Sequence, residues 1–233
     1  MKSSLISTTP SNTGTFPQVF FQEWKTAALI FAGSMLLRVI YLLSLGDDPW
    51  LHYPIVDEVI YQDMAIALMK DPYSLFPFFR PPLFPALLAV WYTLVGVGDS
   101  FIDVRLLNAF LGSVSIVLAY FIALRFFDRK VAIISSAISS TAGILVHLHT
   151  SGLTTSAFMV LFLGSILLMI TSYDRDNPSS IIYAVLAGLL LGLSALGRPV
   201  SLIPAGAVFV WIAFSKDMRI SHRVVGISSM AFG

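Results

Sequence analysis

Runs of about 20 apolar residues recur along this chain, separated by joints too short to form a domain. The first extends from about Thr26 to Leu45 and is interrupted only by Arg38. A bilayer core of roughly 30 Å takes about 20 helical residues, so each run is long enough to cross a membrane. Further segments follow at about Val104–Leu124, Val131–His149, Thr154–Thr171, Ile181–Leu196 and Val200–Phe214, some of them short. Composition agrees, with 57% hydrophobic and 12% charged residues, about half the charge of a soluble domain. The fold class expected is all-α, a polytopic transmembrane helical bundle with no separate soluble domain. Arg38 lies near the far end of its run, where a long side chain can snorkel to the interface, although a charge inside a span is also a functional candidate.

The ends and the first loop differ from the spans. Residues 1–18, MKSSLISTTPSNTGTFPQ, are rich in Ser, Thr, Pro and Gly and lack the apolar core of a signal peptide, so residues 1–25 are expected to be a disordered cytoplasmic tail. Residues 26–233 are expected to form the transmembrane domain, and the apolar run starting at Val224 leads to the expectation that the chain is the N-terminal portion of a longer protein. Residues 46–81 hold six of the 13 acids. Within them, Val56, Val59, Ile60, Met64, Ala67 and Leu68 recur at helical spacing opposite Asp57, Glu58, Gln62, Asp63 and Lys70, the pattern of a helix lying on a membrane surface. Pro82–Gly98 is apolar but only 17 residues long, with Trp91 and Tyr92 past its middle, so an interfacial helix is favoured over a span.

Charge placement orients this layout and excludes some functions. The net charge is +1, from 14 Lys+Arg against 13 Asp+Glu, so no nucleic-acid partner is drawn in by bulk positive charge. The absence of cysteine excludes disulfides and Cys-ligated metal. Basic residues near span ends prefer the cytoplasm. With the tail inside and residues 82–98 not spanning, Lys2, Lys25, Arg125, Arg129, Lys130, Arg175, Lys216, Arg219 and Arg223 are cytoplasmic, whereas Lys70, Arg80, Arg105 and Arg198 are outside. An inverted chain in which residues 82–98 span satisfies the same count, and charge alone leaves it open.

The polar residues of the loop supply the chemistry. Asp57 and Tyr61 are four apart and share a helix face, whereas Glu58 is turned by about 100°, so the two carboxylates cannot serve one task. A carboxylate at the interface can act as a general base towards a hydroxyl, and arginines can hold a phosphate leaving group. Arg80 and Arg105 flank the interfacial helix. A solvated polar face on a surface helix is the alternative reading of the same spacing. His147 and His149 are two apart and do not face each other on a helix, so no metal site is expected; His149 reads as a polar residue lining a pocket or the interface. The aromatic cluster Phe76, Phe78 and Phe79 suits either the entrance of a lipid chain or a plain anchor.

The order of LLRVIYLL at the end of the first span, DEVIYQDMAIALM, RPPLFPALLAVWYTLVG, DVRLLNAFLGSVSIVLAYFIALRFF and GLLLGLSALGRPVSLIPA resembles the membrane glycosyltransferases of the C-type fold, and within them the protein O-mannosyltransferase and aminoarabinose transferase relatives. The resemblance covers about residues 26–214. It implies that residues 46–104 form an extracytoplasmic catalytic loop with two juxtamembrane helices, which disfavours the inverted topology. It further implies a bacterial plasma membrane enzyme that moves a sugar from a polyprenyl-phosphate-linked donor to a hydroxyl-bearing acceptor of the cell envelope. Asp57 and Glu58 match the catalytic acidic pair, Asp57 as the base and Glu58 as its partner. Arg80, Arg105, Arg198, Tyr61 and His149 are then the candidates for binding the donor phosphate or substrate. No cofactor is expected beyond the lipid-linked donor, and a divalent metal is doubtful because HLHTSGLTTSAFM carries Thr154 and Thr155 where relatives often carry an acid. A transporter segment or a non-catalytic membrane scaffold is the alternative function.

Overall fold

The computed structural model describes residues 16–71, 80–98, 100–172, 180–204 and 206–207. All regular structure among them is helical: α1 (Phe16–Ser44), α2 (Pro49–His52), α3 (Asp57–Lys70), α4 (Leu83–Val95), α5 (Ile102–Phe126), α6 (Arg129–Thr141), α7 (Gly143–Leu148), α8 (Thr155–Ser172) and α9 (Ser180–Gly197), followed by a 3-10 turn at Pro199–Ser201. Four helices, α1, α5, α8 and α9, are long and apolar enough to cross a membrane. α5 is central and packs against α1, α6 and α8, while α9 packs on α8. This is the expected all-α polytopic bundle.

Two boundaries depart from the sequence reading. The first helix starts at Phe16, ten residues before Thr26, because the residues ahead of the apolar run have partners. Val19 is buried with Tyr120, Phe121 and Leu124, and Glu23 accepts hydrogen bonds from Tyr120 Oη at 2.9 Å and Arg129 Nε at 3.0 Å. The stretch expected to be a tail is therefore helical from residue 16, and residues 1–15 lie outside the described residues. The span expected at Val131–His149 is broken at Ala142, whose ψ of 111° is extended. Thr141, just before the break, turns its hydroxyl onto the carbonyls of Ala137 and Ile138, a local bond that bends helices.

The broken segment still runs the full depth of the bundle. Its start is tied to α1 by Arg129 and Glu23, and its end by Tyr41 Oη and His147 Nδ1 at 3.0 Å. The intervals from Glu23 to Tyr41 and from Arg129 to His147 are both 18 residues, about 27 Å of helix, close to one hydrocarbon thickness. Most of the segment expected at Val200–Phe214, and the residues Phe76, Phe78 and Phe79, lie outside the described residues.

This alternation of direction brings one end of every helix to the same side. The C-terminus of α1, the whole of α2–α4, the start of α5, the turn 149–154 and the Gly197–Arg198 junction share it. α4 has 13 residues, too few to span, and packs on α3, with Tyr61, Ala65, Phe84, Leu88 and Tyr92 forming a buried core. The interfacial helix favoured from sequence is thus the second layer of a cap.

Close approach of α5 to the α7–α8 turn depends on a missing side chain. A Cβ at Gly112 would lie 2.4 Å from His149 Cβ and 2.7 Å from its Nδ1. Gly112→Ala is expected to lower stability by about 1–3 kcal/mol through overpacking, read as a lower melting temperature of the protein in detergent.

Candidate functional site

The local chain sets up the site before any side chain closes it. Asp48 caps α2 by accepting the Trp50 N–H at 2.8 Å, with Pro49 at the first helical position, the favoured order for a helix start. α2 ends after one turn, so its last carbonyls lack helical donors. Arg105 supplies them. From the first turns of α5 its guanidinium donates to the carbonyls of Trp50, Leu51 and Tyr53, the latter two at 3.2 and 3.3 Å, and to Thr150 O at 3.5 Å. Its central carbon lies 3.7 Å from the centre of the Trp50 ring.

The same guanidinium grips Glu58 in a two-pronged ion pair, Nη1 to Oε1 and Nη2 to Oε2, both 3.0 Å. Glu58 also accepts the N–H of Ile55 at 3.1 Å and of Gly152 at 2.7 Å. Glu58 is 2% exposed and Arg105 0%. Gly152 is required here, because a Cβ would come within 2.2 Å of the Phe101 ring.

Asp57 has the opposite surroundings. It is about one-third exposed and takes Arg80 Nη2 at 2.6 Å, with Arg80 equally exposed. Tyr61, one turn further along α3, is buried edge-to-face on Phe84 with ring centres 5.4 Å apart. Burial pushes the Tyr61 phenol above its usual pKa and Asp57 adds to the rise, whereas Arg80 and Arg198 oppose it. The Gly197–Arg198 junction packs against Leu83 at the start of α4, where a Gly197 Cβ would stand 2.8 Å from Leu83 Cδ2. Arg198 is held extended ahead of Pro199, as the residue before a proline tends to be, and donates to Thr155 Oγ1 at 2.7 Å.

Two expected substrate residues are placed elsewhere. Arg105, expected among the phosphate-binding arginines, is enclosed and holds Glu58 and four backbone carbonyls. His149, expected to line a pocket, is 2% exposed and receives Arg38 Nη2 on its Nδ1 at 2.7 Å. Because a guanidinium only donates, Nδ1 is the unprotonated nitrogen and the ring is neutral. Arg38 does not snorkel: it is fully buried and also donates to the carbonyl and hydroxyl of Ser34. Sequence reasoning missed the parts played by Trp50, Gly112 and Gly152; all three act through contacts distant in the chain. Among the described residues no three His, Asp or Glu side chains group as metal ligands.

The residue before Asp57 is strained. Val56 has φ 49° and ψ −111°, a left-handed φ that a β-branched residue rarely adopts, and its side chain is exposed. Strain of this kind costs about 1–3 kcal/mol, more than the ~0.5–1 kcal/mol of added chain entropy that glycine brings. Val56→Gly is therefore expected to leave the melting temperature unchanged or raise it. Glu58→Gln, which leaves Arg105 buried without its carboxylate, is expected to destabilise by about 3–5 kcal/mol, seen as a large drop in the same measurement.

Residues 79–232 match the family model described as dolichyl-phosphate-mannose-protein mannosyltransferase. The match takes in Arg80, Arg105, His149 and Arg198 and begins after Asp57 and Glu58. No curated protein matches the chain, and no solved structure matches it. The helical membrane architecture and the extent of the family match agree, and the chain belongs to the dolichyl-phosphate-mannose-protein mannosyltransferase family, the membrane glycosyltransferases of the C-type fold.

Proposed function

We propose that this glycosyltransferase moves a sugar from a polyprenyl-phosphate donor to a hydroxyl group of an acceptor on the extracytoplasmic face, with Asp57 as general base. The observation that carries the reading is the division between neighbouring carboxylates. Glu58 is enclosed by Arg105 and two backbone amides, whereas Asp57 is accessible and 2.6 Å from an accessible arginine. A phosphate drawn to Arg80 is thereby brought beside the base.

In the reaction, Asp57 takes the proton of the acceptor hydroxyl as its oxygen attacks the anomeric carbon. The new carbon–oxygen bond forms while the bond from that carbon to the phosphate oxygen breaks. Polyprenyl phosphate leaves with the electron pair, and inversion of the anomeric centre follows from a single displacement. Negative charge grows on the phosphate, and Arg80 and Arg198 stabilise it as fixed cations. Arg105 takes no part in binding the phosphate; together with Glu58 it holds the backbone from which Asp57 projects.

General-base assistance contributes about 10²–10⁴-fold in rate. Asp57→Asn is expected to lose that much turnover of a polyprenyl-phosphate sugar while retaining donor binding. An Asp57→Asn enzyme with full turnover would remove Asp57 from the chemistry. The face of the membrane has its own test, because the chain has no cysteine. Asp47→Cys and Lys130→Cys, both at exposed positions, are expected to react with an impermeant thiol reagent from opposite sides of intact cells, Asp47→Cys from outside.

A further inference from the structure

Hydroxyl side chains on these helices follow a pattern with few exceptions. Ser113, Ser136, Thr150, Ser151 and Thr171 each donate to the carbonyl four residues earlier, and Ser165 and Ser194 to the one three residues earlier. Such back-bonding is how a buried hydroxyl satisfies itself without leaving its helix. Thr154 Oγ1 and Ser156 Oγ, at the start of α8, are buried at 5% and 0% residue exposure and have no hydrogen-bond partner among the described residues. Thr155, between them, is 4% exposed and accepts from Arg198.

Thr154 stands directly ahead of α8, after a turn and not a helix, so no preceding helical turn offers its hydroxyl a carbonyl four residues back. The first helical bond of α8 runs from Phe158 N to Thr154 O, so the amides of residues 155–157 belong to the donors that a helix start leaves without a carbonyl. Thr154 Oγ1 faces the Gly197–Arg198 junction, 3.3 Å from where a Gly197 Cβ would stand. Helix-start amides, two threonine hydroxyls and a guanidinium thus meet at one place, on the side of the bundle that carries Asp57.

We infer that the start of α8 with Arg198 is an oxyanion site that takes the phosphate of the lipid donor, with Thr154 and Thr155 as its hydroxyl donors. The inference rests on the donor reading above and assigns it a seat. Arg198 donates to Thr155 Oγ1 at 2.7 Å; a phosphate oxygen would take over that guanidinium bond and turn the hydroxyl from acceptor into donor. Helix starts suit this role because free amides and the helix dipole both favour negative charge. An unpartnered buried hydroxyl is costly to folding, and a ligand supplies the partner that the fold withholds.

Stability and binding should respond in opposite directions, which a structural hydroxyl would not show. Thr154→Val and Thr155→Val keep side-chain shape and remove the hydroxyl. Binding of polyprenyl monophosphate and of the uncharged polyprenol is measured on the full chain in detergent, together with melting temperature. Each variant is expected to weaken polyprenyl monophosphate binding roughly ten-fold and leave polyprenol binding unchanged. Thr154→Val should also melt at the wild-type temperature or above it. Wild-type affinity for polyprenyl monophosphate in both variants would overturn this site while leaving the donor reading intact, as would equal losses for phosphate and polyprenol. A lower melting temperature for Thr154→Val with unchanged phosphate binding would return that hydroxyl to a structural role. Wild-type protein that prefers polyprenol or binds neither lipid would overturn the donor reading itself.

Discussion

The buried pair of Arg105 and Glu58 is the constraint on which the functional end of the molecule depends. Two charges removed from water cost several kcal/mol each unless geometry and further hydrogen bonds compensate. Here the pairing is bidentate at 3.0 Å on both prongs, and the remaining capacity is taken by backbone groups of α2, the segment before α3 and the turn after α7. Three separate stretches of chain, residues 50–58, the start of α5 and the turn after α7, therefore converge on one guanidinium–carboxylate unit. The Trp50 face and Phe101 ring beside the guanidinium keep water away, which strengthens the electrostatics. Asp57 projects from the backbone that this arrangement braces, next to Glu58 in the chain.

A second arginine plays a comparable part deeper in the bundle. Arg38 lies in a span with Ser34 and a neutral His149 as its partners. A charge at such a place is expensive, and the bonds it makes tie α1 to the turn that carries Thr150 and Gly152. Those two residues hold Arg105 and Glu58 in turn. The two arginines thus form consecutive ties from the first span to the cap, and Gly112 makes room for the histidine between them. Each tie restrains a segment with little regular structure of its own, which suits a site that must keep its geometry at a membrane surface.

Around that frame, Asp57, Arg80 and Arg198 are differently built. Asp57 and Arg80 are each about one-third exposed, and Arg198 is exposed and anchored through a single hydroxyl. The strained φ of Val56 lies between the braced and the accessible parts. Conformations of this sort persist where surrounding structure over-determines them, and the bonds of Ile55 and Glu58 on either side supply that restraint. Adjacent in the chain, Glu58 and Asp57 thus have opposite surroundings, one enclosed by a buried arginine and the other paired with an accessible one.

The sequence by itself determined the bundle and its polar loop, since hydrophobic run length is a property of the chain and the bilayer thickness is given. Residues 83–95 were legible as a helix too short to span for the same reason, and the divergence of Asp57 from Glu58 followed from 100° per residue. The early start of α1 at Phe16 was not legible, because Val19 and Glu23 become helical through Tyr120 and Arg129, about 100 residues away. The break at Ala142 was hidden within an apolar run of ordinary hydropathy. Most of all, arginine type and placement could not tell Arg105, Arg38, Arg80 and Arg198 apart. Only the tertiary structure decided that two are enclosed and two are accessible, since burial and the choice of partner depend on which distant carbonyls, carboxylates and glycines the folded chain brings to each guanidinium.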